Sequence, residues 1–132
     1  MSHPKIAVIV LAFNEALYLE DTLESLEKQD YTNLEYILCD NASTDQTSVI
    51  FSAFKERHNS CCVHIRHSSN IGSNYNLLEG LKYVSSKYFV VLAAHDLISP
   101  NYISSLYQTI LDRPGSVLAM GSSVCLLYTS PS

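Results

Sequence analysis

The 132-residue chain has no apolar run approaching the ~18 residues that cross a bilayer, so no segment is expected to span a membrane. Its start, MSHPKIAVIV, lacks the order of a signal peptide and reads straight into a strand. There is no basic run, and a net charge of −5 argues against duplex nucleic acid as a partner. Neither G-x-G-x-x-G nor a P-loop occurs, which excludes the common dinucleotide and nucleoside-triphosphate cradles. The cysteines, at positions 39, 61, 62 and 125, form no C-x-x-C pair, and adjacent Cys61 and Cys62 are poorly placed for a disulfide. Reduced thiols and a cytoplasmic location follow as expectations. His58, Cys61, Cys62, His64 and His67 are all metal-capable, but standard zinc spacing is missing, and a strand flanked by surface histidines is the simpler reading.

What is present is alternation. Apolar runs Ile6–Leu11, Leu34–Leu38, Cys62–Ile65 and Tyr88–Ala94 recur at near-regular intervals. The first and fourth are continuously apolar, as parallel strands covered on both faces should be. Helical patterns lie between them: Ala16, Leu19, Leu23 and Leu26; then Val49, Ile50, Ala53 and Phe54; then Leu77, Leu78, Leu81 and Val84. Ser99-Pro100 signals a fourth helix carrying Ile103, Leu106, Tyr107 and Ile110, stopped by Arg113-Pro114-Gly115. A fifth strand is expected over Ser116–Gly121. No linker interrupts the order, which predicts one α/β domain with a doubly wound, mostly parallel sheet and helices on both faces.

Ligands of such sheets bind outside the carboxyl ends of the strands. Those ends carry Ala12, Phe13, Asn14 and Glu15; Asp40, Asn41, Ser43 and Asp45; Arg66, Asn70, Gly72 and Asn76; and His95 and Asp96. The second set, in CDNASTDQT, is the most informative. An apolar strand delivers Asp40 to the rim, and Ser43 and Gln46 stand at capping-box spacing for the next helix. A carboxylate beside free helix N–H groups suits a ligand with both a base or ribose and phosphates. Capping by Asp40 and Asp45 would explain that motif alone, but it would not require polar groups to converge from four segments.

LAFNEALYLEDTLESL, CDNASTDQT, SNIGSNYN and FVVLAAHDLISPNYI, in this order, resemble family-2 glycosyltransferases of the GT-A fold, from Lys5 to about Val124. The resemblance implies transfer of a sugar from a nucleotide-diphosphate donor to an acceptor hydroxyl, with inversion and with Mg²⁺ or Mn²⁺. It implies that Ala12 and Phe13 line the nucleoside pocket with Glu15 nearby, and that Asp40 accepts from the N–H of a base. Uracil or thymine is the natural donor there, favouring a UDP- or dTDP-sugar. Asn70 to Asn76 would pass over the nucleotide, with Gly72 permitting close backbone approach. Tyr75 stands where many members carry Arg, which removes a phosphate or ribose contact. The family's Asp-x-Asp metal motif is replaced by Ala93-Ala94-His95-Asp96, leaving Asp96 as the metal ligand and His95 as a second contact in reach. The implied acceptor is a glycan or lipid-linked sugar, with peripheral association of a longer protein at the inner membrane face.

The last eight residues, CLLYTSPS, are similar to a translated sequencing adapter. Residues 1–124 are therefore read as the nucleotide-sugar-binding part of the domain and 125–132 as a non-native tail. The catalytic base is expected beyond Val124, which would leave this chain inactive in transfer. Three alternatives stand beside this reading. A signalling receiver would need paired acids after strand one and an Asp ending strand three, where Asn14-Glu15 and Ile65-Arg66 occur. A nucleotidyltransferase would need a Gly-rich basic loop where FNEALYLED is acidic. A non-catalytic remnant is favoured by the reduced metal motif.

Overall fold

The computed structural model describes residues 3–121. Strands β1 (Ile6–Ala12), β2 (Leu34–Asp40), β3 (Cys62–Arg66) and β4 (Tyr88–Ala93) form one parallel sheet in the order β3-β2-β1-β4. Helices α1 (Ala16–Glu27), α2 (Thr47–Arg57), α3 (Ser73–Leu81) and α4 (Tyr102–Asp112) connect or follow them. A short 3-10 turn, Asn59–Cys61, leads into β3.

Alternate residues of a strand face opposite ways, so β1 needs apolar side chains throughout to be covered twice. Ile6, Val8 and Val10 join Leu19, Leu23, Leu26, Phe51, Phe54 and Ile103 in the larger core, which α1, α2 and α4 cover. Ala7 and Ile9 join Ile37 and Cys39 beneath Leu77 and Leu81 of α3. Each fully buried Leu or Phe here is worth about 1.5–3 kcal/mol. The α/β class, the parallel sheet and the helices on both faces are as the alternation predicts.

Four expectations need correction. Residues Ser116–Gly121 form no strand. β4 is covered on one face only: Phe89 and Val91 point outward and are exposed, because the helix on that face, α3, packs over β1 and β2. On α2 the buried residues are Thr47, Phe51 and Phe54, while Val49 is 62% exposed; on α3, Leu78 is exposed and Asn76 and Gly80 are buried. The apolar count marked a helix correctly but missed its rotation, which polar ties at its start decide. Finally, α4 begins at Tyr102, whose N–H is held by Ser99 O at 3.0 Å, rather than at Ser99-Pro100. Cys39, Cys61 and Cys62 are free thiols, and burial pushes the Cys39 thiol up to about 12. Cys125 and the rest of the 125–132 tail lie outside the described residues.

Candidate nucleotide site at the sheet rim

Strand register builds the site. β1 and β2 pair Ala12 with Asp40, and β2 and β3 pair Asp40 with Arg66, so these three stand in a row at the carboxyl edge. Leu11 pairs with Ala93, which brings His95 and Asp96 to the same edge.

The first two loops are stitched together by side chains. Ser43 Oγ accepts from Asn14 N at 2.9 Å, Thr47 Oγ1 from Glu15 N at 2.9 Å, and Asp45 Oδ2 from Ala16 N at 3.1 Å. In return Asn14 Oδ1 accepts from Thr44 N at 2.7 Å and Asp45 N at 3.3 Å. Asn14 does this from a left-handed backbone, φ 51°, which asparagine tolerates. The capping box is thus corrected: Ser43 does not cap α2, and Asp45 Oδ1 takes the Thr47 N–H instead. Of the α2 N–H groups expected to be free for phosphates, that of Thr47 is spent on this lacing. Burial alone would raise the Asp45 carboxyl, but bonds from Thr47 and the Ala16 N–H outweigh it and hold it below its ordinary value.

Asp40 has no solvent exposure. Its Oδ1 accepts from Ser43 N at 2.9 Å, whereas Oδ2 is buried without a hydrogen-bond partner. The nearest cation is Arg66, with Nε 3.7 Å from Oδ2, beyond hydrogen-bond length, and Nη2 donating to Ser43 O at 3.1 Å. The exposed Arg66 guanidinium therefore lies over a carboxylate with one unused oxygen. Buried polar atoms are nearly always paired, so an orphan at a strand end marks a place where a ligand donor fits.

The third loop is tied to the second. Asn41 Nδ2 donates to Asn70 Oδ1 at 2.9 Å, Asn41 Oδ1 accepts from Ile71 N at 2.9 Å, and Asn70 Oδ1 also accepts from Gly72 N at 2.8 Å. Gly72 has φ 85°, a conformation in which an L side chain is strained. Asn76 is buried, and its amide is used within the fold: Nδ2 donates to Cys39 O at 3.2 Å and Oδ1 bonds His67 Nε2 at 2.9 Å. Asn76 braces α3 against the end of β2. Tyr75 is exposed, and Phe13 is 45% exposed beside buried Ala12, an apolar shelf at the mouth of the row.

At the fourth strand end, His95 Nδ1 lies 3.2 Å from Glu15 Oε1, and His95 Nε2 lies 3.9 Å from Asp96 Oδ1. Among the described residues no group of three His, Cys, Asp or Glu could hold a metal ion. His64 lies within β3 and is half-buried, with its Nε2 buried.

The sequence profile of glycosyl transferase family 2 matches residues 7–124. The chain belongs to that family. Family membership displaces the receiver-domain and nucleotidyltransferase alternatives. Among curated relatives it is 31% identical over 114 residues to glycosyltransferase GlyG of Streptococcus pneumoniae, covering 86% of this chain and 37% of that one. The mannosyltransferase PcManGT of Pyrobaculum calidifontis, solved with GDP-Man and Mn²⁺, superposes with TM-score 0.76 at 24% identity, covering 83% of this chain and 33% of that one. TarS 1–349 of S. aureus, solved with UDP-GlcNAc, gives TM-score 0.73 at 27% identity, covering 82% and 31%. The chain spans about a third of the length of these relatives. Its fold is that of the GT-A neighbours.

Signals for the missed residues were present in part. Ser43, Asp45 and Thr47 were visible as a polar cluster, but their partners lie 29 to 32 residues away, and nothing local reveals such pairing.

Proposed function

We propose that residues 1–124 form the nucleotide-sugar-binding part of a glycosyltransferase that transfers a sugar from a UDP- or dTDP-sugar to a hydroxyl of a glycan or lipid-linked acceptor. The observation that carries this is the buried, unpartnered Oδ2 of Asp40 at the sheet rim. With Oδ1 taken by Ser43, one oxygen remains to accept one N–H. Uracil and thymine offer a single N–H between two carbonyls, and Arg66 stands beside Oδ2 as a donor for one of these. Guanine would use both carboxylate oxygens, so it is disfavoured. Base entry requires Arg66 to lift from Asp40. Ala12 and Phe13 supply the apolar wall, and Asn70 and Gly72 the loop above the nucleotide; Glu15 orients His95.

The donor set suits a divalent cation held chiefly by diphosphate and water, since Asp96 is an exposed carboxylate with no hydrogen bond to a side chain among the described residues. Asp96 would hold Mg²⁺ or Mn²⁺, with His95 alongside, and the cation would neutralise charge on the departing diphosphate. Inversion and association with the inner membrane face rest on the family resemblance, and a cytoplasmic location on the unpaired cysteines. No helix among the described residues is long and apolar enough to cross a membrane. No described residue is assigned as the catalytic base, so transfer by this chain alone is expected to be absent, and a non-catalytic role is separated from this reading by binding rather than turnover.

The test is calorimetry with UDP, dTDP, GDP and ADP. UDP and dTDP should bind more tightly than the others, and Asp40→Asn, which swaps an acceptor for a donor on one oxygen, should weaken UDP by about 1–3 kcal/mol. Equal or absent binding of all four removes Asp40 as a reader of the base.

A further inference from the structure

Two buried side-chain atoms among the described residues lack any hydrogen-bond partner, Asp40 Oδ2 and His64 Nε2. They belong to one face of neighbouring strands. β2 and β3 pair Leu38 with His64 and Asp40 with Arg66, so His64 sits one pleat below Arg66 and diagonal to Asp40. Its half-buried ring lies edge-on to Phe51 of α2, with centroids 5.4 Å apart, which fixes its plane against the core. One orphan is an acceptor and the other becomes a donor in the Nε2–H tautomer, so each can satisfy the other.

The geometry points to His64 as a positioning residue for Asp40, its Nε2–H supplying, across one water, the hydrogen bond that sets how the base-reading carboxylate is turned. This rests on the nucleotide reading given above for Asp40. The hydrogen bond leaves a second lone pair on Oδ2 for the base. Burial lowers the His64 pKa, the Asp40 carboxylate opposes that shift, and Arg66 and Lys55 add to it, so the ring is neutral at neutral pH. These three are the charged groups facing it, from β2, β3 and α2. On acidification the imidazolium takes Oδ2 as an ion pair and turns it inward, away from the base. UDP binding by the wild type therefore weakens as His64 gains its proton.

Two measurements on the 132-residue chain test this. First, the His64 ring is titrated by ¹H–¹⁵N NMR in wild type and Asp40→Asn. Removing the carboxylate takes away the group that favours the proton, so His64 should titrate at a still lower pH; an unchanged midpoint overturns the pairing. Second, UDP affinity is measured across pH for His64→Leu and His64→Gln. Leucine should weaken UDP at neutral pH by roughly tenfold, the size of one hydrogen bond to a charged group. Glutamine keeps an N–H without a titration, so it should restore that affinity and flatten the acid loss relative to wild type, phosphate protonation being common to both. Equal affinity of the leucine variant and wild type overturns the inference. Should UDP bind neither, the nucleotide reading fails instead, and the ring titration, which needs no nucleotide, decides this inference by itself.

Discussion

Gly80 lies on α3 where the helix presses closest to the sheet. A Cβ built there would stand 2.7 Å from Cys39 Sγ and 3.2 Å from Ile9 Cγ2. Helix propensity alone would favour Gly80→Ala by about 0.8–1.0 kcal/mol. Overpacking a close-packed core costs about 1–3 kcal/mol, and Cys39, Ile9 and Ile37 are all fully buried, so the sulfur has no open side to move into. The contact is tighter than real Cβ atoms show, which places the cost at the upper end and leaves a net destabilisation of about 1–2 kcal/mol. Urea unfolding of wild type, Gly80→Ala, Cys39→Ala and the double variant measures this. Removing the sulfur makes room for the new methyl, so the double variant should be more stable than the sum of the singles predicts, by about 1–2 kcal/mol. The strain should also reach the rim: Asn76, in the first turn of α3, donates to Cys39 O next to Asp40, so lifting α3 should weaken UDP binding. A Gly80→Ala protein that is more stable than wild type by the propensity increment would show that the helix and sheet are not in contact there.

Three further outcomes follow from the same lacing. Ala42 sits at φ 64°, costing an L-residue about 1–2 kcal/mol. Since glycine gives back about 0.5–1 kcal/mol in chain entropy, Ala42→Gly should raise stability by about 0.5–1 kcal/mol, seen as a higher thermal midpoint. The Asp45 and Glu27 carboxyls are held below their ordinary values, Glu27 by His58 and Arg57 against the opposing effect of burial. The unfolded chain then takes up their protons first, so the stability they give is present above about pH 4 and lost as pH falls through the lower folded-state values. Asp45→Asn should make that acid loss shallower in urea midpoints taken from pH 6 downward. Asp96→Ala should abolish any Mn²⁺-dependent gain in UDP affinity with unchanged circular dichroism, because the residue is exposed; a surviving gain would put the cation elsewhere.

Much of the fold was legible in the chain because burial on two faces demands continuous apolar strands, as β1 shows, although β4, read the same way, is covered on one face only. Asp40 was legible for the same reason: it is the first acid after an apolar run, and a strand must deliver it to the rim. What lies behind Asp40 was not. His64 was readable as a strand residue facing the same way as Cys62, and only the pairing of β2 with β3 sets it one pleat below Arg66 and diagonal to the carboxylate. Asn76 looked like a ligand residue, yet its amide closes bonds to Cys39 and His67. Ser43 looked like a cap of its own helix, yet its hydroxyl serves Asn14 in the previous loop. Periodicity is a local property, so the sequence by itself determined the four strands and four helices and which residues reach the rim, while the strand expected over Ser116–Gly121 does not form. Hydrogen-bond partners 29 to 37 residues apart are chosen by register and helix rotation, and those exist only once the sheet has formed.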